Sequence, residues 1–293
     1  MNSHVSIAAS MRLLLFAAAL LLADAACADP ALWKIQRNGA TVYLFGTVHV
    51  LPANAQWRYP QFDEALKSSD VLYLEIADDD PATMQALVTQ YGIDAAHPLS
   101  TELDAADEAR VQAAAQTAGL PPQALDVMKP WLAALTLTVA PLLKAGYDPQ
   151  SGVDKSLQNE FAAQGKPVRG LETSQQQIEL LADLPQPLAI AFLRSTLDDY
   201  SNAVTLINAL VKEWETGDVV AIAKLENGEI QDKYPQLYRE LLVQRNQHWA
   251  LQIAQLLDRH QTAFIAVGAA HLAGSDDVQA QLQKLGIETA RVH

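Results

Sequence analysis

The segment that decides the fold runs from Leu32 to His49 and reads LWKIQRNGATVYLFGTVH. Two extended apolar stretches, residues 32–36 and 41–45, flank the dipeptide Asn38-Gly39. Asn-Gly in this position is the strongest short-range signal for a β-hairpin, because both central residues of the tight turn need a positive φ. The segment therefore predicts a hairpin whose second strand leads directly into Gly46-Thr47-Val48-His49.

A second strand followed by Gly-x-x-His lies near the end of the chain, where residues 264–271 read FIAVGAAH. Two more predicted strands end on a carboxylate: residues 71–76 contain Leu74-Glu75, and residues 168–172 end at Leu171-Glu172. In open α/β sheets, ligand sites collect beyond the carboxyl ends of the strands. We therefore expect these two histidines and two carboxylates to contribute to one site.

Imidazole and carboxylate are the usual metal ligands when cysteine is absent. His49, Glu75 and His271 could bind a divalent metal and leave positions for water, whose pKa the metal would lower. Glu172 could be a further ligand, a general base, or the carboxylate that orients a ligand histidine. The alternative is that each histidine is a hydrogen-bonded structural residue. Glu75 is the sharpest signal, because a carboxylate inside an apolar strand must be paired, ligated or placed at a cleft.

Four further positions are assigned to substrate binding. Gly46 and Gly268 lack a Cβ, so the backbone there can turn sharply or approach a substrate closely. Asp154 and Asn246 are the polar candidates, although Asp154 could simply cap a helix. Arg245 lies on a predicted long helix, where a solvated or salt-bridged face is the default meaning. If that helix faces the cleft, Arg245 could stabilise a developing oxyanion.

The composition excludes several classes of protein. The 293 residues include 20 basic and 34 acidic side chains, a net charge of −14. Nucleic-acid binding is excluded, since neutralising phosphates needs clustered Lys and Arg. One cysteine allows neither an intramolecular disulfide nor a Cys-rich zinc module. The chain also lacks the sequence signatures of zincin peptidases, common serine hydrolases, P-loop NTPases and dinucleotide-binding enzymes.

The first 28 residues resemble an export signal. Arg12 precedes an apolar block over residues 13–23, which is shorter than the roughly 20 residues that span a bilayer. Ala26-Cys27-Ala28 then fits the small-x-small pattern cut by signal peptidase. We predict cleavage after Ala28 and a periplasmic or secreted protein. Lipidation at Cys27 is the alternative, disfavoured because Asp24 stands where an aliphatic residue is usual.

The mature chain, residues 29–293, is expected to form one domain without a transmembrane segment, in halves of roughly 29–150 and 151–293. Length and spacing predict helices over residues 81–91, 104–118, 131–144, 186–216 and 236–259. The chain should close with a strand, a helix capped by Ser275 and a last strand over residues 287–292. Such a crossover normally gives parallel pairing.

Taken together, these motifs resemble the TraB/GumN family, which includes the Tiki and pheromone-shutdown proteins. The resemblance covers residues 33–292. The motifs that carry it are Gly46-Thr47-Val48-His49, Glu75, Gly152-Val153-Asp154, Gly170-Leu171-Glu172-Thr173, Arg245-Asn246 and Gly268-Ala269-Ala270-His271.

The resemblance implies a mixed α/β fold in which strands from two related halves meet around a central cleft, with helices outside. It also implies a metal-dependent, peptidase-like hydrolase that uses manganese, cobalt or zinc. The substrate would be a peptide, a protein or a small molecule, and the oligomeric state stays open. Two alternatives remain: a metal-independent, esterase-like hydrolase that uses His49 and Glu75 directly, and a non-catalytic protein of the cell envelope that binds a peptide or small ligand.

Overall fold

The computed structural model describes residues 29–52 and 55–292. The predicted signal peptide, residues 1–28, and the alternative lipidation site at Cys27 lie outside these residues. The strands are β1 Leu32–Arg37, β2 Ala40–Thr47, β3 Val71–Leu74, β4 Val168–Gly170, β5 Thr262–Gly268 and β6 Ala290–Arg291. The α-helices are α1 Pro60–Ser68, α2 Pro81–Gly92, α3 Leu99–Glu102, α4 Ala105–Ala118, α5 Pro122–Asp126, α6 Pro130–Lys144, α7 Val153–Ala163, α8 Ser174–Ala182, α9 Gln186–Asp199, α10 Ala203–Glu215, α11 Val219–Ile222, α12 Gly228–Lys233, α13 Pro235–Tyr238, α14 Gln244–Leu256 and α15 Val278–Lys284.

The predicted hairpin is confirmed. β1 pairs antiparallel with β2, and Arg37 lies opposite Ala40 across the turn. The two turn residues have positive φ, 52° at Asn38 and 79° at Gly39. Positive φ at both central positions matches the right-handed twist of the strands, which is why Asn-Gly is favoured there.

The sheet has the order β4-β3-β5-β2-β1-β6. Four neighbouring strands, β4, β3, β5 and β2, are parallel, while β1 is antiparallel to both of its neighbours. Among the four parallel strands, those from before and after residue 150 alternate, since β3 lies between β4 and β5 and β5 lies between β3 and β2. The fold is mixed α/β, as expected.

The last strand differs from the prediction. It is restricted to Ala290–Arg291 and pairs antiparallel with β1. Parallel pairing beside β5 is impossible because β2 and β3 already occupy both of its edges. The free edge of β1 accepts the chain instead, and the Val292 amide donates to the Leu32 carbonyl at 2.9 Å.

The strands that carry the carboxylates are also shorter than predicted. β3 ends at Leu74 and β4 at Gly170, so both glutamates follow their strands. Backbone hydrogen bonds nevertheless continue past the strand ends. The Leu171 amide donates to the Leu74 carbonyl at 2.8 Å, and the Glu172 amide to the Glu75 carbonyl at 2.9 Å. The two glutamates are thereby fixed side by side.

Both predicted long helices are interrupted. A 3₁₀ turn at Tyr200–Asn202 separates α9 from α10, within a run of Asp, Ser and Asn side chains that compete with helical hydrogen bonds. A π-helical turn at Arg239–Val243 separates α13 from α14, and another, Ala223–Asn227, precedes α12. The cap of α15 is Asp277 and not Ser275, because the Asp277 carboxylate accepts from the Ala280 amide at 2.7 Å.

Helices cover both faces of the sheet. On one face, Phe45 and Phe264 pack with Phe62 of α1 and Trp214 of α10. On the other face, Leu44 and Ile265 pack beneath Trp249 and Ile253 of α14. A strand covered on both faces has apolar side chains in succession, as β5 does. None of the helices within residues 29–52 and 55–292 has the length and hydrophobicity that a bilayer span requires.

Candidate active site

The predicted site residues meet at one edge of the sheet. His49 follows β2, Glu75 follows β3, Glu172 follows β4 and His271 follows β5. These four strands are parallel neighbours, so their carboxyl ends lie at the same edge. A cavity of about 450 Å³ opens there, and His49, Glu75 and Asp154 contribute to its wall.

Glu75 is the most constrained carboxylate. It is 8% exposed. Its Oε1 accepts the Gly268 amide at 2.8 Å, and its Oε2 accepts Arg245 Nη2 at 2.6 Å and Gln177 Nε2 at 3.2 Å. Burial is the largest single effect and acts to raise the pKa of Glu75, but Arg245, the two histidines and the Gly268 amide together outweigh it and hold that pKa well below its usual range. Glu75 is therefore an anion in the folded protein.

Arg245 connects the two carboxylates. Its Nε donates to Glu172 Oε1 at 3.0 Å, and its Nη2 donates to both Glu75 and Glu172. Its Nη1 donates to the Leu241 carbonyl and to His271 Nε2. Glu172 Oε1 also accepts from Trp249 Nε1 at 3.1 Å. A guanidinium has five N–H donors, and this arrangement occupies all of them, so Arg245 organises the site and has no donor left for an oxyanion.

His271 is held in one tautomer. Its Nδ1 lies 2.6 Å from Asn246 Oδ1, and Asn246 Nδ2 donates to the Asp276 carbonyl at 2.8 Å. The amide orientation is thus fixed, so His271 carries its proton on Nδ1 and accepts from Arg245 at Nε2. Burial is the main effect that lowers the pKa of His271 to about 3, so the imidazole is neutral. Asn246 is fully buried and contacts the histidine, not the cavity.

His49 has the opposite environment. Its side chain is 63% exposed, and its Nδ1 lies 2.8 Å from Asp154 Oδ2. Thr47 Oγ1 donates to Asp154 Oδ1 at 2.7 Å, which fixes the carboxylate. The charge of Asp154 raises the pKa of His49 to about 9, against the opposing effect of desolvation. Among the described residues, His49 Nε2 has no hydrogen-bond partner.

Two glycines make this arrangement possible. A Cβ on Gly152 would lie 2.2 Å from the His49 carbonyl oxygen, so only glycine lets α7 begin close enough for Asp154 to reach the histidine. The cap position is Gly152 itself, and Asp154 lies in the first turn of α7. A Cβ on Gly268 would lie 3.1 Å from Glu75 Oε1 and 3.3 Å from His49 Nε2. Gly268 therefore marks the point on which the two groups converge.

Gly46 has a packing role. A Cβ there would lie 3.1 Å from the Ala269 Cα, and the Gly46 carbonyl accepts from Trp214 Nε1 at 2.7 Å. This close approach brings the two Gly-x-x-His loops together. Among the described residues, neither Gly46 nor Gly268 lines the 450 Å³ cavity.

The whole folded chain matches one family: residues 31–291 match the TraB/PrgY/gumN family. The protein belongs to the TraB/PrgY/gumN family. Among curated proteins, it is similar to the uncharacterized protein YbaP of Escherichia coli strain K12, with 25% identity over 245 residues, covering 82% of this chain and 87% of the relative. The uncharacterized protein YbaP of Shigella flexneri matches with the same figures. No solved structure matches the chain.

The metal that the TraB/PrgY/gumN resemblance implies fits these residues only partly. Among the described residues, no three His, Cys, Asp or Glu side chains form a group that could hold a metal ion. The reason lies in Arg245, a fixed cation that contacts Glu75 and occupies the donor nitrogen of His271. Glu75 Oε1 and His49 Nε2 both lie close to Gly268, and Nε2 offers a lone pair only when His49 is neutral. The three-ligand set therefore remains a prediction.

Sequence reasoning missed Gln177, which donates to Glu75 and lines the cavity of this TraB/PrgY/gumN protein. A local signal exists, because Thr173 and Gln176 form a capping box that fixes the start of α8 beside the end of β4. Asn227 was missed without any such signal. It donates to the carbonyls of Ala270 and Ala273 at 3.1 and 3.0 Å and so holds the loop that carries His271.

Proposed function

We propose that this protein is a hydrolase that acts on a peptide or small molecule in the 450 Å³ cavity, with His49 as its acid–base group. The observation that supports it is the Asp154–His49 pair, in which Nδ1 is bound to a carboxylate and Nε2 has no partner among residues 29–52 and 55–292. A carboxylate on one ring nitrogen orients the imidazole and leaves the other to exchange protons with substrate or water.

His49 is the single proton carrier in the proposed hydrolysis. The neutral form of His49, which gains population as the pH approaches its pKa of about 9, takes a proton from a water whose oxygen forms a bond to the substrate carbonyl carbon. The resulting imidazolium, stabilised by Asp154, gives that proton to the leaving nitrogen or oxygen as its bond to carbon breaks. Glu75, which lines the cavity, and the neutral His271 behind it each stay in one ionisation state. Arg245 keeps Glu75 charged and in position.

The experiment uses the mature chain, residues 29–293, with a pool of unmodified peptides and a set of acyl esters, followed by mass spectrometry. We expect products that are lost in His49→Ala. His97→Ala is a matched control, because His97 Nδ1 lies 2.9 Å from Asp94 Oδ2 on an exposed surface away from the cavity. Equal turnover by wild type and His49→Ala would overturn the proposal. Recovery of bound but chemically intact ligand would favour the binding-protein alternative.

A metal-dependent form of the same hydrolase is a second candidate, supported by the convergence of His49 Nε2 and Glu75 Oε1 on Gly268. These two atoms would hold the ion, and His271 would join them if Arg245 moved away from Nε2. A divalent metal supplies an acidified water. Elemental analysis and thermal stabilisation by manganese, cobalt or zinc should separate wild type from Glu75→Gln. Turnover that persists after chelation, with no bound metal, would exclude this form.

We also propose that the protein functions outside the cytoplasm, as the sequence of residues 1–28 predicts. The intact mass of protein from the periplasmic fraction or the medium should correspond to a chain that begins at Asp29. A chain that begins at Cys27 and carries lipid would support the alternative. An unprocessed chain would contradict both.

A further inference from the structure

Two groups of polar side chains line the 450 Å³ cavity, and one of them contains His49. The proposed hydrolysis makes no use of the second group, which consists of Lys155, Asp79 and Gln158. Lys155 Nζ donates to Asp79 Oδ2 at 3.2 Å and to Gln158 Oε1 at 2.8 Å, and Gln158 Nε2 donates to Asp79 Oδ1 at 2.9 Å. The three side chains therefore form a closed ring of hydrogen bonds, which fixes the ammonium and the carboxylate against each other.

The position of Lys155 in its helix is unfavourable for a cation. Lys155 is the third residue of α7, where the unsatisfied N–H groups of the first turn carry partial positive charge. The carboxylate of Asp79, on the loop between β3 and α2, offsets this repulsion from outside the helix. Because the side chains of Lys155 and Asp79 are 31% and 32% exposed, the pair is accessible from the cavity. Helix stability alone thus does not account for a lysine at this position.

The other charged side chains that line the cavity are paired as well. Asp154 lies 2.8 Å from His49, and Glu75 lies 2.6 Å from Arg245. A charged group of a ligand that entered the cavity would have to separate one of these pairs or stay without a partner, and both cost free energy in a partly desolvated site. An uncharged ligand meets neither cost.

The cavity also offers groups that suit an uncharged peptide. Gln177 Nε2 donates to Glu75 at 3.2 Å, while Gln177 Oε1 accepts no hydrogen bond from residues 29–52 and 55–292. Gln150 brings a second side-chain amide to the wall, and Ile76 and Pro149 bring apolar surface. An amide both donates and accepts hydrogen bonds, which is what the N–H and C=O of a peptide group require.

We propose that the cavity binds an uncharged internal stretch of a peptide chain, and that the Lys155–Asp79 pair determines this specificity by leaving no single charge for a free terminus. The protein then cleaves within a chain and not at its ends. Cleavage rests on the proposed function. The preference in binding does not, since the ring of Lys155, Asp79 and Gln158 exists whether or not His49 catalyses a reaction.

The test is calorimetric titration of the mature chain with four forms of the peptide Leu-Ala-Leu-Ala: both ends free, only the amino end acetylated, only the carboxyl end amidated, and both ends blocked. Because a charged group left without a partner lowers affinity by about tenfold or more, we expect the fully blocked peptide to bind at least about tenfold tighter than the free one. Mass spectrometry after each titration shows whether the peptide was cleaved. For a peptide that is cleaved, kcat/KM replaces the affinity.

Breaking the Lys155–Asp79 pair from either side should change the preference in opposite directions. Asp79→Asn leaves the ammonium of Lys155 without its carboxylate, so the peptide with only a free carboxylate should bind about tenfold tighter than it binds to wild type. Lys155→Met leaves Asp79 unpaired, so the peptide with only a free ammonium should gain by a similar factor. The double variant Asp79→Asn/Lys155→Met carries neither charge and should again bind the fully blocked peptide tightest.

Lys212→Met is the matched control, because Lys212 Nζ lies 3.2 Å from Glu213 Oε1 on α10, outside the cavity. It should bind all four peptides as wild type does. Thermal unfolding verifies that each variant is folded. The four titrations of the wild type test the proposal even where a variant does not fold.

Three results would overturn the proposal: equal affinity of the wild type for the blocked and the free peptide, no binding of any of the four, or unchanged preferences in both Asp79→Asn and Lys155→Met. The last result would mean that the ring only ties α7 to the loop before α2. Turnover that persists in His49→Ala, with the preference for the blocked peptide intact, would contradict only the proposed function. Turnover that is lost in His49→Ala, without such a preference in the wild type, would contradict only this inference.

Discussion

The two Gly-x-x-His loops have the same sequence pattern and opposite chemistry. His49 has a 63% exposed side chain and a carboxylate partner, Asp154, whose charge raises the pKa of the histidine to about 9. His271 has a 7% exposed side chain, an amide partner, Asn246, and a neighbouring guanidinium, and mainly burial lowers its pKa to about 3. At neutral pH the first is an imidazolium and the second a neutral imidazole.

The two histidines also differ in the hydrogen bonds that their ring nitrogens make. His271 accepts a hydrogen bond from Arg245 and donates one to Asn246, so both of its ring nitrogens are occupied. A histidine with a free Nε2 beside a cavity can transfer a proton. The motif therefore specifies where each histidine lies, while its neighbours set its protonation state.

The largest effect is expected from removing the proton-transfer group. His49→Ala should lower the turnover number by about 10²–10⁴-fold, the usual contribution of a general acid–base residue. His97→Ala, which breaks a surface His–Asp pair of similar geometry, should leave turnover unchanged. Steady-state kinetics on any substrate found for the wild type measures both. A similar loss in the two variants would indicate an effect on folding and not on catalysis.

Arg245→Gln should destabilise the protein by about 3–5 kcal/mol, because it leaves the buried carboxylates Glu75 and Glu172 without their cation. Arg58→Gln removes a comparable guanidinium from Asp63 and Glu160 at the surface, and should cost about 1 kcal/mol or less. Urea unfolding of both variants measures the difference. Equal free energies of unfolding would mean that Arg245 does not organise the His271 side of the site.

Exchanging the Asp and Asn partners of the two histidines should bring their pKa values closer together. Asp154→Asn removes the charge that raises the pKa of His49, so that pKa should fall from about 9 towards 6.5. Asn246→Asp places a carboxylate beside His271 Nδ1 and should raise its pKa by about 1–3 units. Both shifts can be followed by NMR titration of the imidazole Cε1 protons. If neither moves, the partners do not determine the contrast.

The smallest expected effect is on the pH dependence of the free energy of unfolding. The pKa of His271 is about 3 in the folded protein and 6.5 as its ordinary value, so the unfolded chain binds more protons between these limits. Stability from this residue is therefore complete above pH 6.5 and is lost as the pH falls, by about 2 kcal/mol at pH 5. His271→Gln should lose less stability than wild type between pH 7 and pH 5 in urea unfolding. An unchanged loss would show that His271 is not held neutral.

The contribution of His49 to stability has the opposite sign. Its raised pKa gives stability that is present below pH 6.5 and is lost as the pH rises through about 9. Because the side chain is mostly exposed, solvent screens the pair and the change should be small. Stability from His271 is thus lost at acidic pH, and stability from His49 is lost at alkaline pH.

Local patterns predicted the elements whose causes are local. Asn38-Gly39 fixed the first hairpin because two positive φ angles suffice to define its turn. The four polar groups after β2, β3, β4 and β5 were found because each follows directly on a buried apolar strand. β6 was misassigned because its pairing depends on which sheet edge remains free, and that is decided by β2 and β3 flanking β5.

The fold class and the positions of His49, Glu75, Glu172 and His271 follow from the sequence, since continuous apolar runs and turn residues act over a few neighbours. The ionisation states of these groups depend on the tertiary structure. Arg245 reaches Glu75 from 170 residues away, and Asp154 reaches His49 from 105. Burial and charge act through space, so ionisation could not be read along the chain.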